Sequence, residues 1–244
     1  MKNKTASKQN REFIYNHERL FGFEKSLYPA MNGILNEQQS QIHQTIDLAE
    51  ILFITSYPPR ECGIATYSND LIKALNNKFS KTLSIKVCAL ESGDESFKYS
   101  DEVKYVLKTS LAYKYEKLAL KINKDDHIKI VLIQHEFGFF NKQKNSFLQL
   151  LKDITKPVIV VFHTVLPHPD ANLKTEIQTI AASCNAIIVM THNSARILMN
   201  DYDLKEEKIS VIAHGTHLVT HLSREFLKKN MDTKGGRSLP RSVC

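Results

Sequence analysis

What most narrows the fold of this chain is a change of period inside residues 50–76. Residues 51–55 (ILFIT) form an almost unbroken apolar run, as expected of a parallel strand buried on both faces. From Ala65 the apolar residues Tyr67, Leu71, Ile72 and Leu75 keep a helical period instead. The residues between, 56–63 (SYPPRECG), are too rich in proline and glycine to belong to either element. Strand, glycine-bearing loop and helix start make the first half of a βαβ unit. Ligands of open α/β sheets bind beyond the carboxyl ends of such strands. The helix that follows aims its orphan N–H groups and the positive end of its dipole at that place.

The same alternation runs on. Residues 84–90, 103–107, 128–134, 158–162, 186–190 and 209–213 read as strands. Helical periods fill the gaps: Leu111 to Ile122 with Ser110 as an N-cap, Phe147 to Ile154, residues 173–183, and residues 194–202 with Thr191 or Asn193 as the cap. Strands separated by helices of this length predict a parallel sheet covered on both sides, a doubly wound, Rossmann-like α/β layer spanning residues 46–219. Residues 1–45 are polar and interrupted by Pro29 and Gly33, although Phe13, Tyr15, Leu20, Phe21, Phe23, Leu27 and Tyr28 make part of them able to dock. They read as an extension of the domain. Residues 220–244 read as an irregular tail.

Composition enters as a set of exclusions. The net charge of +7 divides into +2 on residues 1–45, +4 on residues 220–244 and +1 on the body. A nucleic-acid binder is expected to carry its basic face on the fold itself, so nucleic acid is not expected as a partner. No run reaches the roughly 18 apolar residues of a membrane span, and the N-terminus lacks the apolar segment of a secretory signal. Cys62, Cys88, Cys184 and Cys244 are far apart, which suits a reducing cytoplasm better than a disulfide framework or a zinc site. The expected location is cytoplasmic.

The candidate chemistry falls at strand ends. Gly63 follows the first strand, His135 and Glu136 the fourth, His163 and Thr164 the fifth, Thr191 and His192 the sixth, and His214 and Gly215 the last. In a parallel sheet those ends share one edge, so distant residues can converge on one cleft. The loop ECGIAT has a single glycine where a dinucleotide fingerprint needs three, and neither a Walker lysine nor a G-x-S-x-G elbow occurs. His214 and His217, and His163 and His168, are spaced in a weakly metal-like way, but no cysteine or carboxylate completes a set. Neither a metal nor another cofactor is expected.

Four segments in order, SYPPRECGIATYSNDL, QHEFGFF, FHTVLPHP and AIIVMTHNSARILMNDYDLKEEKISVIAHGTHLV, resemble the N-terminal half of a retaining GT-B glycosyltransferase of family 4. The resemblance covers residues 50–219, and it implies a single GT-B half-domain, the acceptor side of a two-domain enzyme that moves a sugar from a nucleotide-sugar donor. It also implies roles. His163 sits at the reaction centre and orients the transferred sugar or the acceptor hydroxyl. Arg60, Glu61, Gly63 and Ile64 form the loop against the substrate and donor phosphates. His135, Glu136, Thr164, Thr191 and His192 line the acceptor-side cleft. His214 and Gly215 mark the hinge. The partners implied are a sugar acceptor and a nucleotide-sugar donor, once a C-terminal domain completes the enzyme.

The departure from the family is large. The resemblance calls for a second Rossmann domain with two glutamates separated by seven residues, whereas only 25 residues follow Val219 and no glutamate pair has that spacing. The expectation is a truncated or frame-disrupted product with a foreign tail from about Asn230, inactive alone because the donor side is missing. A non-catalytic glycan- or protein-binding module that keeps the fold is the alternative, and a nucleotide-binding regulator is a third reading that one glycine supports poorly.

Overall fold

The structure, a computed structural model, describes residues 48–93 and 96–215. The extension 1–45, the tail 220–244 and His217 lie outside the described residues. Seven strands form one sheet: β1 (Ala49–Thr55), β2 (Leu83–Glu91), β3 (Val103–Lys108), β4 (Ile128–His135), β5 (Val158–Phe162), β6 (Ala186–Val189) and β7 (Ile209–Val211). Every pairing is parallel and the order is β3-β2-β1-β4-β5-β6-β7. The chain enters at the middle, builds outward to β3, then crosses back to lay β4 on the other side of β1. This is the predicted doubly wound, Rossmann-like layer, and its reversal point lies between β1 and β4.

The helices are α1 (Gly63–Phe79), α2 (Ala112–Lys124), the single turn α3 (Phe137–Phe140), α4 (Lys144–Asp153), α5 (Ala171–Ser183) and α6 (His192–Tyr202). Their starts differ from the sequence reading where capping chemistry was misplaced. Helix α1 begins at Gly63 because Cys62 caps it, its Sγ accepting from the Ala65 N–H at 3.4 Å. Ser110 does not cap α2; Leu111 holds that position without a side-chain bond, since the helix starts one residue later than Ser110 could serve. Thr191, not Asn193, caps α6, its Oγ1 accepting from the Ser194 N–H at 2.9 Å.

Two apolar clusters sandwich the sheet. On one face Leu52, Ile54, Val131, Ile133, Val160 and Phe162 pack against buried residues of α2, α4, α5 and α6. On the other, Ile51, Phe53, Ile130, Leu132, Ile159 and Val161 join Ile72 and Leu75 of α1. The helices of the β3-to-β7 connections thus share one face, and the helix that joins β1 to β2 takes the other, as right-handed crossovers demand. Strand β4 lies between β1 and β5, and its residues are buried on both faces apart from the exposed Lys129. Leu132→Ala should therefore cost about 2–5 kcal/mol of unfolding free energy in urea titration; a loss below about 1 kcal/mol would place Leu132 outside the core.

Candidate functional site

The residues flanking the β1/β4 reversal point define the site, because loops leaving adjacent strands there diverge to opposite faces and open a crevice. On the β1 side stand residues 56–62 and the first turn of α1. On the β4 side stands the short α3 turn. The two sides touch: the Arg60 guanidinium lies over the Phe139 ring, 5.9 Å from its centroid. Glu136 caps α3, its Oε1 accepting from the Phe137 N–H at 3.0 Å, while its Oε2 accepts from the Thr164 hydroxyl at 2.7 Å. That second bond ties the end of β4 to the end of β5.

His163 follows β5 directly, and its N–H donates to the His135 carbonyl at 3.1 Å, extending the β4–β5 ladder by one rung. Its ring is held from two sides. Nε2 is 2.7 Å from Oε1 of Gln134 on β4. The Tyr67 ring of α1 meets it edge-on, with centroids 5.2 Å apart. The same tyrosine contacts His214, centroids 4.7 Å apart, so the expected hinge histidine reaches back to the first helix. His214 itself is exposed, its Nδ1 2.7 Å from the Gly215 carbonyl oxygen. Burial, and secondarily the neighbouring His214, lowers the His163 pKa to about 4, so its ring is neutral at pH 7. Burial raises the Tyr67 phenol to about 12.

Gly63 opens α1 and is exposed. Its φ is not in the positive region, and a Cβ there would meet nothing within 4 Å. Neither backbone conformation nor packing among the described residues therefore requires a glycine at 63. Cys62 engages the N–H groups of Ala65 and Thr66, which leaves those of Gly63 and Ile64 at the helix mouth. The Ile64 side chain is itself buried in the core, so its part in the loop is backbone only. Glu61 is exposed beside it.

His135 does not line the cleft. Adjacent residues of a strand point to opposite faces, and His135 points away from His163 into a cage of Phe137, Phe140, Phe147 and Phe162, with ring centroids 4.9–5.8 Å away. It is 1% exposed, its Nδ1 has no partner among the described residues, and burial lowers its pKa to about 3. Thr191 and His192 lie at the end of β6, one strand beyond His163 on the same edge, both exposed, with Thr191 occupied in capping α6. Two residues of the cluster were not singled out from the sequence. Tyr67 was read as one more apolar position of α1, and Gln134 as the last residue of a strand. The available signal was Gln134 itself, a polar side chain on the row that Ile130 and Leu132 begin.

Among the described residues no three His, Cys, Asp or Glu side chains group as metal ligands would, and no helix is long and apolar enough to cross a membrane.

No family model matches the chain, and no curated protein does. Solved structures do. An α-glucosyltransferase in complex with UDP-glucose and DNA containing an abasic site matches at 15% identity over 63% of this chain and 39% of its own, with a TM-score of 0.42. An α-glucosyltransferase with UDP and a 13-mer DNA containing a central A:G mismatch matches at 16% identity, 60% and 38% coverage and a TM-score of 0.40. The wall teichoic acid polymerase TagF matches at 11% identity, 80% and 47% coverage and a TM-score of 0.37. The chain spans less than half the length of each. At such identities and scores these likenesses carry no argument about chemistry.

They do require one correction. Nucleic acid was excluded as a partner on charge, yet matching α-glucosyltransferases are bound to DNA, so that exclusion is withdrawn. The sum over the body also averages out local charge: α2 carries Lys114, Lys117, Lys121 and Lys124 against the single acid Glu116.

Buried His135 and half-buried His163 make stability depend on pH. Folding holds them neutral, with pKa values of about 3 and about 4 against an ordinary 6.5. The unfolded chain therefore binds more protons below pH 6.5, and stability present above that pH is lost as it falls toward 4. The slope approaches about 1.4 kcal/mol per pH unit for each such group. Urea unfolding at pH 7.5, 6 and 5 should show this loss, and His135→Phe should flatten it; equal stability at all three would mean both rings titrate normally.

Proposed function

We propose that this domain is the acceptor-side half of a retaining glycosyltransferase that draws on a nucleotide-sugar donor. One observation carries the reading: at the β1/β4 reversal point Gly63, the residue that opens α1 without a side chain, stands on the same helix as Tyr67, which holds the neutral ring of His163. Sugar transfer passes through an oxocarbenium-like state while negative charge leaves on a phosphate. The N–H groups of Gly63 and Ile64 and the dipole of α1 stabilise that anion. Arg60, held over Phe139, adds a positive charge at the same mouth, and Glu61 faces the acceptor. A neutral imidazole cannot balance phosphate charge, so His163 orients a sugar or acceptor hydroxyl. Glu136 and Thr164 fix the wall behind it, Thr191 and His192 extend the acceptor side, and His214 and Gly215 lead toward the donor-binding domain this chemistry requires. The reading calls for no metal.

Turnover of nucleotide sugars tests it, with glycan, lipid-linked and oligonucleotide acceptors in the panel. The chain alone should be inactive, and joining it to a donor-binding domain should restore transfer. In the joined enzyme His163→Ala should lower kcat by about 100-fold. Gly63→Val should keep the melting temperature, because the space is open, and abolish transfer. Wild-type rates in the His163 variant would remove that residue from the site. Glycan binding without transfer in any combination would favour the binding-module reading.

A further inference from the structure

Strand β4 places Ile130, Leu132 and Gln134 on one face, because side chains two residues apart in a strand point the same way. The first two belong to the apolar cluster under α1. Gln134 continues their row and is fully buried, 0% exposed. Its amide is half satisfied: Oε1 is 2.7 Å from Nε2 of His163, and Nε2 has no partner among the described residues. An unpaired buried amide N–H costs stability that methionine or leucine at this position would not. Packing therefore gives no reason for glutamine, and the bond to His163 does. An amide oxygen only accepts, so the hydrogen of that bond belongs to the imidazole.

We infer that Gln134 is a positioning residue that holds His163 as its Nε2–H tautomer and leaves Nδ1 as the lone-pair nitrogen presented to a ligand. The Tyr67 ring and the His135 carbonyl fix the orientation of the residue, but neither bonds a ring nitrogen, so they set its place and Gln134 sets its proton. The functional meaning rests on the sugar-transfer reading, in which a bare nitrogen accepts from a hydroxyl. The tautomer itself does not, since it belongs to the chain without substrate.

The test is a long-range proton–nitrogen spectrum of the full chain labelled with ¹⁵N-histidine, at pH 7, with His163→Gln used to assign the signals. The wild type should show a protonated Nε2 and an unprotonated Nδ1 for residue 163. Gln134→Met should keep the melting temperature or raise it and move both nitrogen shifts toward a tautomer mixture. Gln134→Glu keeps an acceptor in place, so it should preserve the tautomer while raising the pKa of His163 by about one unit or more. A wild type carrying the proton on Nδ1 would overturn the inference, as would a folded methionine variant with unchanged shifts. Should the methionine variant not fold, the glutamate variant decides: an unchanged His163 pKa overturns the proposal. Loss of sugar transfer in any assay leaves this result standing, and the reverse also holds.

Discussion

The pairing of β1 with β4 is the constraint on which the rest of the molecule depends. The two strands are far apart in sequence and lie side by side from Ile51↔Ile130 to Ile54↔Ile133. Everything before β4 builds the sheet one way from β1, and everything after builds it the other way. Because consecutive crossovers keep one hand, that reversal puts α1 on one face and α2, α4, α5 and α6 on the other. The loops that leave β1 and β4 then part over the carboxyl edge. Strand order thus marks this position as the place where an open α/β sheet forms its crevice, before any side chain is considered.

Which side chains enter the crevice is decided by the strand period of two. Gln134 and His135 are neighbours in sequence and opposites in role. One points toward the α1 face and meets His163; the other points into the phenylalanine cage on the α4 face. Both are buried, and both keep a polar atom without a partner among the described residues. Burial lowers the pKa of His135 and of His163 alike, so the shift cannot tell a cleft residue from a core one. The difference lies in what surrounds each ring. Four phenylalanines surround His135, whereas an amide, a tyrosine and an exposed histidine surround His163, an arrangement that keeps one side of the second ring polar.

The strands and their alternation with helices were legible because a parallel sheet buried on both faces writes long apolar runs into the sequence, as in residues 128–134 and 158–162. The ends were less legible. Cys62 is not among the residues that favour N-caps, so α1 was read two residues short, and the one-turn α3 is too brief to show a period. The edge on which the candidates gather was legible for the same reason as the strands. Their individual orientations were not, since an apolar run on a doubly buried strand gives no face to count from. That is why His135 was placed in the cleft and Gln134 passed over. The charge reading treated as uniform a body in which α2 holds four lysines and one acid.

Gly63 shows how structure sharpens a motif. Glycine at a helix start normally has an internal explanation, either a left-handed φ or a backbone too close to accept a Cβ. Neither applies here. Alanine would suit the first turn of a helix at least as well, so neither backbone conformation nor packing among the described residues calls for glycine here, and on the sugar-transfer proposal it keeps the N–H groups of the turn open to a ligand. His163 approaches the same mouth without charge, so an anion bound there would be balanced by the helix terminus and by Arg60, and a hydroxyl by the imidazole. On the sugar-transfer proposal the two kinds of ligand group fall to two different elements, α1 and the end of β5, which the strand reversal brings to the same edge of the sheet from opposite directions in the chain.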